Sequence, residues 1–180
     1  MKAGGSGGAN TLTGLVFEAK VDFLTLLGNI PGYEIKKIRS RAGISVLFKD
    51  KLVARCFKKH DFYNFLEEEK VDWKNIISRQ ILPDDALLVI IRGTLFIIEV
   101  KTQNVPGSVD EKLQTCDFKR KQYAKLVASL NLKVEYVYVL SDWFREPKYK
   151  DVLDYINSMN CHYLFNRLPL DWLGLPAGEE

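Results

Sequence analysis

The 180-residue sequence predicts an α/β domain built on a central mixed β-sheet flanked by helices. Residues 86–91 and 94–101 are two apolar, β-branched runs around Arg92-Gly93, a two-residue turn signal, so they read as a hairpin. Both runs are apolar on both faces, as in a sheet covered on each side. Leu113, Cys116, Tyr123, Val127 and Leu130 then recur at helical intervals ahead of a dense β run at 134–140. A strand, a crossover helix and a second strand place those two strands parallel in one sheet.

The remaining elements follow in order. Residues 1–10 are Gly-rich with almost nothing that can pack, and read as a flexible tail. From Thr11 the pattern is helical: Leu15, Val16, Phe17, Phe23, Leu26 and Leu27 give a broad apolar face that stops at Gly28 and the Pro31-Gly32 turn. Residues 33–38 and 44–48 read as strands around an Arg41-Ala42-Gly43 turn, and 52–57 extends the meander. Residues 60–69 and 72–79 read as short helices, the first opened by Asp61 as a cap. After the hairpin, Val105-Pro106-Gly107 precedes a long helix for which Ser108 and Glu111 have capping-box spacing. A helix at 149–158 and a strand at 162–165 complete the order. No repeat or linker divides residues 11–180, a length that one hydrophobic core usually serves.

Composition removes several classes. Hydrophobic residues at 47% and charged residues at 27% lie near globular averages, which excludes a disordered, collagen-like or coiled-coil chain. No apolar run approaches the ~18 to 20 residues that span a bilayer, and the N-terminus lacks the basic-then-apolar order of a secretion signal. A soluble, cytoplasmic protein with no membrane partner is expected. Cys56, Cys116 and Cys161 are odd in number and widely spaced, and His60 and His162 stand apart, which suits neither a disulfide framework nor structural zinc. No Ser-His-Asp set, Walker loop or dinucleotide-binding loop is present, so acyl transfer, NTP hydrolysis and hydride transfer lack support and no nucleotide cofactor is expected. A net charge of +3 does not identify a nucleic-acid binder. Its distribution is more informative: basic residues cluster at Lys36, Lys37, Arg39 and Arg41, at Lys58 and Lys59, at Lys119, Arg120, Lys121 and Lys125, and at Lys148 and Lys150. Each cluster also reads as an ordinary solvated face.

The chemistry concentrates at the base of the hairpin. Asp84 and Asp85 follow Pro83, and Glu99-Val100-Lys101 ends the second run. With Arg92 and Gly93 as a two-residue turn, Ile91 pairs with Thr94, Ala86 with Glu99 and Asp84 with Lys101, so Asp84, Glu99 and Lys101 share one face. A three-residue turn promotes Asp85 instead, because a one-residue slip turns every side chain over. Two converging carboxylates make a hard oxygen site suited to Mg2+, and an adjacent ammonium can orient water and offset charge developing on a phosphodiester. A salt bridge at a hairpin base has the same composition, but charges at the edge of a covered sheet are costly unless a metal or partner satisfies them.

Pro83-Asp84, fourteen intervening residues and Glu99-Val100-Lys101 resemble the signature of the PD-(D/E)XK nuclease superfamily. The element order α-β-β-β-α-β over residues 11–140 is similar to its restriction-endonuclease-like core. The resemblance implies a Mg2+-dependent endodeoxyribonuclease, with Mn2+ able to substitute, hydrolysing double-stranded DNA as a sequence-specific type II restriction endonuclease does. Residues 11–180 are then a single nuclease domain, with Asp84 and Glu99 as metal ligands and Lys101 aiding the attacking water. A homodimer acting on palindromic sites is also implied. The alternatives are a Holliday-junction or DNA-repair nuclease that reads DNA shape, and a catalytically inactive DNA-binding protein of the same fold.

The family often carries another acid in its first helix, where this chain has Glu18, which also reads as a solvated residue beside Lys20 and Asp22. Gln103 keeps the strand parity of Lys101 and either contacts water or phosphate or simply ends the strand. The helix start at 107–112, with Lys112 and Lys119 seven residues apart on one helix face, is expected to position phosphates, joined by Lys36 and Lys37. Arg145, beside Trp143 on a loop expected to be exposed, is the candidate for base contact. Tyr123 is expected in the core, and His60 and His162 are expected to be structural.

Overall fold

Seven strands pair side by side in the order β2 (Tyr33–Lys36), β3 (Ile44–Phe48), β4 (Lys51–Phe57), β5 (Asp85–Val89), β6 (Thr94–Lys101), β7 (Lys133–Leu140) and β8 (His162–Phe165). This computed structural model describes residues 14–16, 22–39, 41–103 and 109–178. The pairs from β2 to β6 are antiparallel, and β6–β7 and β7–β8 are parallel. The parallel joins need long returns, and helices supply both: α3 (Val109–Leu113) and α4 (Cys116–Val127) lead to β7, and α5 (Lys150–Ser158) leads to β8. A second ladder pairs β1 (Gly14–Val16) antiparallel with β9 (Arg167–Pro169). Among the described residues no helix is long and apolar enough to cross a membrane.

Strand alternation divides the interior into two cores. One face of β6 sends Leu95 and Ile97 toward α2 (Asp61–Glu68), α4 and α5, where Phe62, Phe65, Tyr123, Leu126 and Ile156 are buried with them. The other face sends Phe96 and Ile98 toward α1 (Phe23–Gly28) and α6 (Leu170–Leu173), against Phe23, Leu27, Leu170 and Leu173. The expectation of a mixed sheet flanked by helices therefore matches the observed architecture, and Tyr123 lies in the core as expected.

Several boundaries differ from the sequence reading, each for a local reason. Among the described residues the first helix spans Phe23–Gly28, where Asp22 caps it by accepting from the Thr25 N–H at 3.3 Å. Residues 14–16 are instead a strand, because Leu15 pairs with Leu168. Asp61 lies inside the first turn of α2, and His60 holds the cap position without a side-chain cap bond. Within 72–79 only Trp73–Asn75 is helical, as one 3-10 turn. The expected long helix breaks at Gln114 and Thr115, where the Thr115 hydroxyl donates to the Lys112 carbonyl at 2.7 Å and competes with the helical ladder. The tail at 1–10, the chain from 11 to 13, Glu18 and Ser108 lie outside the described residues.

The hairpin turn is also longer than expected. Ile90–Arg92 form a 3-10 turn closed by Gly93 at φ 56°, so Val89 pairs with Thr94 and Asp85 with Ile98. A two-residue type I′ turn needs positive φ at both positions, which an arginine disfavours, whereas this loop needs it only at Gly93. The register moves by two residues, an even shift that leaves every side chain on its face.

The registers bring one set of strand ends to a common rim. Lys36 lies opposite Ser45, Ile44 opposite Cys56, Phe57 opposite Ala86, Lys101 beside Leu140 and Leu140 beside Phe165. Segments 37–39, 41–43, 58–60, 83–84, 102–103 and 141–149 consequently open at the same end of the sheet.

Candidate functional site

At that rim β5 and β6 deliver the hairpin-base residues to one place. The ladder ends at Asp85–Ile98, so Asp84 lies one position beyond it, level with Glu99 and on the α4 side. The Lys101 ammonium donates to Asp84 Oδ2 at 3.2 Å and lies 2.9 Å from Glu99 Oε2, placing both carboxylates within reach of one cation. Glu99 is the buried member, its side chain 4% exposed, while that of Asp84 is 55% exposed. Lys119, in the first turn of α4, donates to Glu99 Oε1 at 2.7 Å, and the Tyr136 hydroxyl donates to the same oxygen.

These contacts set the protonation states. Burial alone would raise the Glu99 pKa. The Lys101 and Lys119 charges, with the Lys119 and Tyr136 hydrogen bonds, outweigh it and hold the carboxyl below its ordinary range. Burial likewise works against the Lys101 charge, but Glu99 and Asp84 raise its pKa overall. Burial and the Glu99 charge push the Tyr136 hydroxyl up, so it remains a phenol and donates. At neutral pH Glu99 is therefore a carboxylate, Lys101 an ammonium and Tyr136 a neutral donor.

Asp85 goes to the opposite face, as the preserved parity requires. It is buried, with the Cys56 thiol donating to Oδ1 at 3.9 Å and the Lys58 ammonium 3.9 Å from the same oxygen. Lys58 also pairs with Asp22 at the start of α1. Burial pushes the Asp85 pKa up to about 6, with Lys58 opposing and Asp84 adding to the rise. Among the described residues, the acid at the start of the first helix is Asp22, on the face away from Glu99.

The other expected site residues are distributed along the rim and α3. Gln103 is buried, its backbone N–H directed to Ser141 Oγ at 3.3 Å. Lys112 is exposed on α3, and the helix break separates it from Lys119, which turns inward to Glu99; the two do not form one row. Lys36 pairs with Glu34 at 2.7 Å, and Lys37 lies 3.9 Å from Asp61. Both belong to the far end of the rim, about 19 Å from β6 at ~4.8 Å per strand. Arg145 is exposed, pairs with Asp142 at 2.6 Å and covers the Phe165 ring at 4.0 Å. Its neighbour Trp143 is half-buried, and the Trp143 indole N–H donates to the Tyr149 hydroxyl at 2.6 Å. His162 stands 2.9 Å from Glu135, and Arg120 lies 3.7 Å from Asp117.

Sequence reasoning missed Tyr136. Alternation in 134–140 already puts Tyr136 and Tyr138 on one face, and residues paired across a parallel ladder share a face. Only the register, Ile97 beside Tyr136 and Glu99 beside Tyr138, shows that this is the Glu99 face.

The donor set suits a hard divalent cation. No group of three or more His, Cys, Asp and Glu side chains converges among the described residues, but Mg2+ is commonly held by one or two carboxylates, with substrate phosphates and water completing its shell. Asp84 and Glu99 supply such a pair.

Fold and site together define an α/β protein with a carboxylate–ammonium cluster at the end of a mixed sheet. Comparison of the chain with models of protein families, with curated proteins and with solved structures finds no match.

Proposed function

We propose that this protein is a Mg2+-dependent endodeoxyribonuclease that hydrolyses phosphodiester bonds of double-stranded DNA, a restriction-endonuclease-like member of the PD-(D/E)XK superfamily. The observation that carries the proposal is the convergence of Asp84 and Glu99, from adjacent strand ends, on the single ammonium of Lys101. The same rim carries Lys36, Lys37, Lys58, Lys59 and Arg145, cations suited to a phosphate backbone. Three antiparallel strands, β4, β5 and β6, followed by a parallel strand β7 entered through helices support the reading, with β2 and β3 ahead of them and α2 between β4 and β5 as additions to the expected α-β-β-β-α-β order.

Asp84 and Glu99 would hold Mg2+, which would supply Lewis-acid polarisation of the phosphodiester and lower the pKa of water so that it releases its proton to solvent and attacks as hydroxide. The chain supplies the rest. Lys101, kept protonated by its two carboxylates, donates to the attacking water or to a phosphate oxygen as negative charge accumulates. Tyr136 holds Glu99 Oε1 from below, fixing the carboxylate orientation that the site requires. Lys112, Lys36 and Lys37 serve phosphate contacts, and Arg145 base contact. A symmetric homodimer is the assembly that suits palindromic sites.

The test is digestion of a mixed-sequence supercoiled plasmid and of a four-way junction, each with Mg2+, Mn2+ or excess EDTA. Discrete plasmid fragments with uniform sequenced ends are expected, lost in EDTA and in Asp84→Ala, with Lys101→Ala losing most turnover. Cutting confined to the junction would reassign the enzyme to branched DNA. Failure of the wild type to cut either substrate with either metal, or undiminished cutting by Asp84→Ala, would overturn the proposal.

A further inference from the structure

We propose that Lys119 is a displaceable counter-ion, holding Glu99 when no divalent cation is bound and passing to a DNA phosphate when cation and substrate enter together. The inference rests on the metal-dependent reading above and adds a coupling between the metal and DNA sites.

Both oxygens of Glu99 are occupied. Oε1 receives Lys119 at 2.7 Å and the Tyr136 hydroxyl, and Oε2 meets Lys101 at 2.9 Å. Two carboxylates and two ammonium groups leave the cluster close to neutral. A dication placed between Asp84 and Glu99 adds two positive charges beside two existing ones, in a setting where like charges interact more strongly than in water. One ammonium has to withdraw. Lys101 bridges both carboxylates from the last position of β6 and is the less exposed, at 20% against 27% for Lys119. Among the described residues Lys119 has one carboxylate partner, and it stands on a helix beside the exposed Phe118. Its four-carbon stem lets the ammonium swing outward with no change in the strands.

Once withdrawn, Lys119 needs an anion, and the phosphodiester entering the site supplies one. Metal alone must displace Lys119 into solvent; metal with DNA exchanges one anionic partner for another. Each ligand therefore raises the affinity of the protein for the other by the same factor. This gives Lys119 a different task from Lys101, which keeps its carboxylate partners and acts on the reacting groups.

Mn2+ titration of the full chain without DNA, followed by the electron paramagnetic resonance of free Mn2+, tests this at neutral pH. Lys119→Met is expected to bind Mn2+ about tenfold more tightly than wild type, the effect of removing roughly one unit of pKa-scale charge interaction. Lys119→Arg, which keeps the charge, is expected to bind as wild type does. Adding Glu99→Gln to Lys119→Met is expected to abolish the gain. Lys119→Gln, which retains a neutral donor for Glu99, carries the same expectation as Lys119→Met if that variant fails to fold. Mn2+ binding lost in Glu99→Gln but unchanged or weakened in both neutral Lys119 variants would overturn the counter-ion role and leave the metal reading standing. Wild type and neutral Lys119 variants that bind no Mn2+, with or without a mixed-sequence duplex, would overturn both.

Discussion

Glu99→Gln is expected to lower stability along with activity, because the carboxylate is held by partners and not strained by a neighbour. The substitution keeps the shape of a side chain that is 4% exposed and removes its charge. Two charge-assisted hydrogen bonds, from Lys101 and Lys119, become neutral-acceptor contacts at a loss of about 1 kcal/mol each. Lys119 loses its carboxylate partner, and Lys101 keeps only Asp84. Breaking a buried pair by removing one partner costs about 3 to 5 kcal/mol when the survivor stays buried. Here both lysines can reach water, so about 2 to 3 kcal/mol is expected. For a chain of this size that lowers Tm by roughly 5 to 10 °C. Urea denaturation followed by tryptophan fluorescence measures it directly. In a Lys101→Met, Lys119→Met background the same Glu99→Gln change should cost much less, since the charges it strands are already gone. A Glu99→Gln protein within about 0.5 kcal/mol of wild type would show that the ammonium contacts contribute nothing net, and the electrostatic account of the site would be wrong.

Glu68 gives a pH-dependent counterpart away from the site. Burial would raise its pKa, but the Ala42 N–H at 2.8 Å and Arg55 at 2.9 Å hold it below the ordinary range. A folded-state pKa below the unfolded one contributes stability at pH above the unfolded value, and that contribution is lost as pH falls through the folded value. Glu68→Gln is therefore expected to cost about 1 to 2 kcal/mol at pH 7, discounted for its partly exposed carboxylate, and progressively less below about pH 4. Thermal melts of both proteins from pH 3 to 7 check this, and a gap that does not narrow in acid refutes it. For DNA, Lys112→Ala is expected to weaken binding to all duplexes and to reduce the salt slope by about one unit, whereas Arg145→Ala should cost more on the cleaved sequence than elsewhere. Affinities at several salt concentrations separate the two, and a selective loss of cognate binding for Lys112→Ala would reverse the assignment.

The sequence by itself determined the parts of this protein that depend on period and parity. Side chains alternate along any strand, so Asp84, Glu99 and Lys101 share a face for any even change in the hairpin turn, and the two-residue error in its register left the site intact. The crossover from β6 to β7 was legible for a similar reason: parallel strands need a long return, and the intervening residues have helical spacing. Tertiary structure decided what no local pattern encodes. Lys119 faces Glu99 because the helix breaks at Thr115 and restarts over the sheet, and Tyr136 reaches Glu99 because of the β6–β7 register. Leu15 is in a strand because Leu168 pairs with it, although its own segment has helical spacing. Trp143 turns inward because Tyr149 accepts its N–H. Each of these outcomes rests on contacts between residues brought together by the closed chain, whose energies compare with local propensities of well under 1 kcal/mol per residue and can overrule them.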